Sequence, residues 1–404
     1  MTDSRKIRLL GYLFAIVVLW HAMLFYGLPF RVVVALWAAI SVWLYFAGPA
    51  AALLTAVSIA LFTLVLNFTI QFLGLDRTMY YRPHELMKAH HPELGSTFKP
   101  NTQFSMPAQF GDIEAIEKAG VRETPHEIAY RTDSLGFRNP AEFDKQSFVL
   151  MGDSFVAGTN DTQSCLIGEH LRKDHGLDTY NLGFPADMED YVQRFEAFRK
   201  HKGDQFKLAL FVFEGNDFLQ PFSYRPPKRK SRLKQATTAY YDFFKESSLW
   251  RFTRWLSLRA IRKTESARAN PFVRKIGTED VAFLYTDPGQ AHHQTAYQES
   301  QMKFAEALER LKPNLVQVFF IPIKYRVYAG WVAEQPLANT QWDYLQQAAR
   351  QAKVPAFDLT PSLVEEAKRL FSMGQYVYWR DDTHWNCAGM KAVAAPIAQQ
   401  LRSR

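Results

Sequence analysis

Hydrophobic positions are arranged in two ways along this chain, and the change comes near residue 75. Residues 9–28 carry no formal charge over roughly twenty positions, enough to cross a hydrocarbon core about 30 Å thick. Pro29 and Arg31 interrupt the run, residues 32–46 form a second, Gly48-Pro49 breaks that, and residues 51–73 form a third before Asp76-Arg77. Continuous apolar sequence of this kind predicts membrane helices rather than a cleaved leader. Three spans are expected. Residues 32–46 are short for a span, and a re-entrant second run would leave two. Arg5, Lys6 and Arg8 precede the first span, so the positive-inside rule puts the N-terminus in the cytoplasm. Three crossings then place the rest of the chain outside an inner membrane, on its periplasmic face. Two would keep it in the cytoplasm.

Residues 76–146 mix charge, proline and glycine without sustained periodicity and read as a lead-in packed on a following domain. The most distinctive piece is Tyr130-Arg131-Thr132-Asp133-Ser134-Leu135-Gly136-Phe137-Arg138-Asn139-Pro140, rich in turn formers. From residue 147 the pattern alternates. Strands are predicted at 148–151, 179–182, 208–213, 315–321 and 356–359. Helices are predicted at 165–173, 188–201, 300–311, 340–352, 361–371 and 388–401. Strands alternating with helices call for a parallel sheet covered on both faces. Residues 218–299 interrupt the alternation. They carry a basic run at 228–234 and an aromatic-basic stretch with Phe243, Trp250, Arg251, Arg254 and Trp255. Two readings of that stretch stand: a helix at a membrane interface, or a helix with its aromatic face against the domain.

Composition adds little to this division. With 48% hydrophobic and 15% aromatic residues the 404-residue chain can build a sizeable core. The net charge of +8 comes without any nucleic-acid motif, so nucleic acid is not an expected partner. His90-His91 has no neighbouring ligand set and reads as two exposed histidines. Cys165 and Cys387 lack zinc-site spacing. An oxidising compartment would allow a disulfide between them, but two buried thiols are the expectation.

The chemistry concentrates at predicted strand ends. The first strand runs into Gly152-Asp153-Ser154, the second into Asn181-Leu182-Gly183 and the third into Glu214-Gly215-Asn216-Asp217. Arg380-Asp381-Asp382-Thr383-His384-Trp385-Asn386 lies near the C-terminus. A parallel sheet gathers such ends along one edge, where ligands bind. A serine there is a nucleophile if a base activates it. His384 is the candidate base and an aspartate the group that orients it. The N–H groups of Ser154 and Gly183 and the amide of Asn216 are candidate donors to an oxyanion. Asp153 is expected to hold the turn. Asp153, and Lys324 and Tyr325 at another strand end, are weak candidates for substrate contact, a surface lysine being the plainer reading of Lys324. No metal or cofactor is called for.

In these blocks the chain resembles the SGNH (GDSL-like) hydrolase superfamily over residues 130–404, with 218–299 outside the likeness and Gly215-Asn216-Asp217 lacking one intervening residue. The Gly136-Phe137-Arg138-Asn139 piece, Pro322-Ile323-Lys324-Tyr325-Arg326-Val327-Tyr328 and Asp382-Thr383-His384-Trp385-Asn386 resemble a narrower branch. That branch includes membrane-associated proteins and the alginate acetylation proteins of bacterial exopolysaccharide systems. The resemblance implies a flavodoxin-like three-layer α/β domain with a parallel sheet at 147–404, following a membrane anchor at 1–75 and a lead-in at 76–146. It implies acetyl-ester chemistry through an acyl-serine, by an esterase or O-acyltransferase, on a cell-envelope or secreted polysaccharide. The superfamily's aspartate lies three before the histidine, which is Asp381. The branch's lies two before, which is Asp382 and is preferred. A transferase also implies a multi-span partner supplying the acyl group. A lipid esterase or thioesterase, and a non-catalytic glycan-binding subunit, are the alternatives.

Overall fold

The computed structural model describes residues 54, 57, 58, 61–75, 83–108, 110–117, 119–143, 148–218, 247–249, 252, 272–292 and 298–404. The first two expected spans and the basic run at 228–234 lie outside the described residues. Among those described, no helix is long and apolar enough to cross a membrane. The described part of the third run is helical over 61–72 and exposes Leu61, Phe62, Leu64, Val65, Phe68 and Phe72.

The chain divides into two units, one of Met1–Tyr80 with Pro227–Ala267, the other of Tyr81–Pro226 with Arg268–Arg404. The boundary differs from the expected insertion at 218–299. Its middle joins the N-terminal unit, where the Leu249 N–H donates to Asn67 Oδ1 at 3.1 Å and Leu249 packs on Ile70.

In the second unit the lead-in forms two antiparallel ribbons. Strand β1 (Lys88–His91) pairs with β2 (Gly95–Phe98), and β3 (Gln103–Ala108) with β4 (His126–Arg131). The chain then enters β5 (Phe148–Met151), the one-turn α1 (Ser154–Ala157), α2 (Ile167–His175), β6 (Thr179–Asn181), α3 (Met188–Lys202) and β7 (Lys207–Phe213). A ribbon of β8 (Val273–Ile276) and β9 (Glu279–Ala282) follows. After it come α4 (Gln298–Leu311), β10 (Leu315–Ile321), α5 (Thr340–Gln351), β11 (Ala356–Asp358), α6 (Thr360–Phe371) and α7 (Cys387–Arg402).

Five strands form one sheet in the order β11-β10-β7-β5-β6, every pairing parallel. Relabelled along the chain this is the 2-1-3-4-5 order of flavodoxin-like folds, whose ligand crevice lies outside the carboxyl ends of the first and third strands. Those ends belong to β5 and β7. The central strands β5, β7 and β10 are apolar almost throughout because both faces are covered, and side chains alternate between layers. Val149, Met151, Leu208, Leu210 and Phe320 face a layer built with α3, α4 and α5. Phe148, Leu150, Phe211, Phe319 and Ile321 face one built with α6 and α7. The lead-in is not a separate layer. Phe98, Ile128, Tyr130 and Phe137 share the first core with Val149 and Met151.

Candidate active site

The chain leaves β5 through Gly152, where an added Cβ would lie 2.6 Å from Val156 Cγ2 and 3.0 Å from Phe211 Cβ. Only glycine permits so close an approach. Asp153 then caps α1, its Oδ1 accepting the Phe155 N–H at 2.9 Å. Ser154 is the first residue of that helix, and its N–H has no intrahelical acceptor. The turn is backed by the Gly-Phe-Arg-Asn piece. Buried Arg138 donates to the carbonyls of Ala157, Gly158, Ala129 and Asp161. Asn139 Nδ2 donates to the carbonyl of Asn181 at 3.0 Å and its Oδ1 accepts the Asn181 N–H at 2.7 Å.

The opposite arm is the loop of residues 379–386, closed by an isolated bridge between Tyr378 and Trp385. Ser154 Oγ lies 2.7 Å from His384 Nε2, and His384 Nδ1 lies 2.5 Å from Asp382 Oδ1. A carboxylate accepts only, so in the neutral imidazole Nδ1 carries the proton and Nε2 is left to accept from the serine. Asp382 Oδ1 also accepts the His384 N–H at 2.9 Å. Its Oδ2 accepts the Asp112 N–H at 2.8 Å and the Asn160 amide at 3.1 Å. Asp381 points away and takes the N–H groups of Gly111 at 2.8 Å and Glu123 at 3.1 Å. Of the two candidate aspartates, the one at the histidine is Asp382. The remaining residues of the motif have structural duties. Thr383 donates N–H and hydroxyl to Asp112, Trp385 stacks edge-on against Phe155 at 5.3 Å, and Asn386 caps α7 by accepting the Ala388 and Gly389 N–H groups.

Burial of His384 disfavours its charged form, but Asp382 in contact, with Asp112 and Asp153 nearby, outweighs it and raises the imidazole to about 9. Burial acts on Asp382 in the opposite sense. The charge and bonds of His384 nonetheless hold its carboxyl well below the usual range. Burial pushes Asp153 up to about 6 and Asp161 up to about 7.

The expected oxyanion donors fare differently. Asn216 is exposed in the turn after β7, at the crevice edge. The Gly183 N–H is already donated to Asn181 Oδ1 at 2.8 Å. Asn181 ends β6 in an Asx-type turn that closes on the next N–H but one, and its amide donates to Val156 O at 2.9 Å. The expected free N–H is therefore engaged, and the block ties the second strand end to the serine helix. Lys324 is not a surface lysine: it is 1% exposed and bonded to main-chain carbonyls. Tyr325 packs on the rings of Phe283 and His292, at 5.7 and 6.5 Å between centroids. Cys165 and Cys387 form a disulfide, contrary to the expectation of two thiols. Their Cα atoms lie 4.9 Å apart because the turn before α2 abuts the first turn of α7. Asp112, Asp382 and His384 also present ligand atoms within 4.8 Å of one another. Both oxygens of Asp112 are taken by Thr383 and the imidazole Nδ1 by Asp382, so the chemistry of the cluster is that of a relay.

Residues 280–404 match the family model of the SGNH hydrolase-like domain of the acetyltransferase AlgX. This part of the chain is similar to an SGNH hydrolase-like domain of the acetylation branch. The match contains Asp382 and His384 and begins after Ser154, which the fold carries to them. No curated protein matches the chain. One solved crystal structure is similar over 64% of this chain and 97% of its own, at 13% identity and a TM-score of 0.32, too slight a likeness to bear on the site.

Asp112 and Asn160 were not singled out by their sequence context, and Asn181 stood in its block without a role of its own. Asn160 had only a slight signal, lying in the polar run Thr159-Asn160-Asp161-Thr162-Gln163-Ser164 shortly after the serine, of which the fold buries the first three. Asp112 had none: its partner Thr383 lies 271 residues away.

Proposed function

We propose that this protein is a serine enzyme of acetyl-ester chemistry, an esterase or O-acyltransferase acting on a cell-envelope or secreted polysaccharide. The observation that carries the reading is the continuous Ser154–His384–Asp382 relay at 2.7 and 2.5 Å. Ser154 Oγ attacks the acetyl carbonyl as its proton passes to His384 Nε2. The imidazolium so formed is stabilised by Asp382, and the oxyanion is met by the Ser154 N–H and the Asn216 amide. Collapse breaks the ester bond, and His384 returns the proton to the departing alcohol. Water or a sugar hydroxyl then attacks the acetyl-serine, giving up its proton to His384 and regenerating Ser154. The two outcomes differ only in what reaches the acyl group.

The apolar runs before residue 75 support a multi-pass inner-membrane anchor. The Cys165–Cys387 disulfide supports a domain facing the oxidising, outer side of that membrane. A transfer reaction there needs an acetyl donor, which supports a multi-span partner supplying it. The full-length protein in detergent, assayed on an aryl acetate beside Ser154→Ala, tests the chemistry. Loss of turnover in the variant is expected, and equal rates would overturn the serine reading. Mass analysis of bare and acetylated oligosaccharides after incubation separates transfer from removal.

A further inference from the structure

The Pro322–Tyr328 segment has no place in the relay, yet Pro322, Ile323, Lys324, Arg326 and Tyr328 each engage the structures that hold it. Tyr378 OH donates to Pro322 O at 2.7 Å, and Tyr328 OH accepts the Val377 N–H at 3.0 Å. The Ile323 N–H and the Arg326 guanidinium both bind Glu214, the residue after β7. Between them Lys324 Nζ donates to the carbonyls of Ala282, Trp379, Arg380 and Asp382 at 2.7, 2.6, 2.9 and 3.2 Å. An ammonium has three N–H groups, so four carbonyls saturate it and leave none for a substrate. Three of the four belong to the loop that carries Asp382.

A buried cation is costly unless paired. Here the compensating charge comes from Asp381, Asp382, Asp112 and Asp287. We propose that Lys324 is a positioning residue of the relay: its ammonium gathers the carbonyls of residues 379–382 so that the Asp382 carboxylate meets His384 Nδ1, and its charge offsets the paired aspartates behind the histidine. The inference rests on the serine-relay reading above. Burial lowers the amine to about 8 while the four aspartates oppose that, so the cage holds a charged group at neutral pH. His384 itself faces Asp382, Asp112, Asp153 and Asp161, and Lys324 is the cation set behind the first two. Its removal leaves the imidazolium less opposed.

The test uses the full-length protein. Lys324→Met is expected to lower kcat about 100-fold, the scale for slight misplacement of reacting groups, with KM unchanged. The ascending limb of its pH–rate profile moves to higher pH, and Lys324→Arg, keeping the charge, moves it back toward wild type. A rise in KM at constant kcat, as for a substrate-binding lysine, or no change in either, overturns the proposal. A second measurement needs no variant and no activity. Brief treatment of the native protein with acetic anhydride leaves Lys324 unmodified while exposed Lys312 and Lys353 react. Modification of Lys324 at their rate overturns the cage. Equal activity of Ser154→Ala overturns instead the reading on which the inference rests, so the two failures are distinct.

Discussion

The nucleophile and its base are held in opposite ways. Ser154 is positioned almost locally: a strand end three residues before it, a cap from Asp153 and a one-turn helix, backed by Arg138. The loop that carries Asp382 and His384 has no helix or strand of its own until Asn386. It is fixed by Gly111, Asp112 and Glu123 from the lead-in, Asn160 from the serine side and Lys324 from the end of β10. A nucleophile can thus be placed by short-range geometry, whereas its base arm is placed by contacts spanning up to 271 residues. Changes in the lead-in, far from the serine in sequence, are expected to act on catalysis.

The largest effects separate members of the relay from their neighbours. Ser154→Ala is expected to cost on the order of a million-fold in kcat and Asp382→Asn about ten thousand-fold. Asp381→Asn, which loses bonds to the lead-in only, costs far less. Comparable losses for both asparagine variants, in steady-state assays on an aryl acetate, would erase the distinction between the two aspartates. Next come the donors. Asn216→Ala is expected to lower kcat by about a hundredfold to a thousandfold. Gly183→Ala acts on stability instead: its Cβ would lie 2.6 Å from Ala157 N, and such overpacking costs about 1–3 kcal/mol, read as a fall in Tm. A loss of kcat in Gly183→Ala at unchanged Tm would return that N–H to the oxyanion.

The pH dependence sharpens the comparison at the base arm. His384 must be neutral to accept the serine proton, and its pKa is raised from 6.5 to about 9 by Asp382. Activity is therefore expected to climb with pH through a limb centred near 9, and Asp382→Asn, removing the anion, to bring the climb to lower pH. A limb unmoved in Asp382→Asn would contradict the pairing. The smallest effect on rate belongs to the disulfide. Replacing Cys165 and Cys387 by serine is expected to lower stability by about 2–4 kcal/mol, seen in denaturant titration, while kcat changes little.

The same contrast explains what could be read from the sequence. The five strands and their order along the chain follow from apolar runs such as 208–213 and 315–321, because strands buried on both faces need no alternation. Ser154 and His384 stand in short contiguous motifs, and topology alone brings strand ends together. The disulfide, the engaged N–H of Gly183 and the burial of Lys324 were not legible. Each depends on which distant backbone comes within reach: the turn before α2 against α7, Asn181 folding back on its own strand end, and the carbonyls of 379–382 closing on an amine from β10's end. The close packing of Gly111, whose added Cβ would lie 2.6 Å from Asp382 Cβ, is of the same kind, since nothing near residue 111 announces it.

The central claim is that Ser154 carries the acyl group, and trapping that intermediate tests it most directly. Wild-type full-length protein, mixed with an aryl acetate, quenched in acid and digested, is expected to yield the Ser154 peptide bearing one acetyl group, with none on that peptide in Ser154→Ala. Turnover with no acetyl on Ser154, persisting in the alanine variant, would contradict the account.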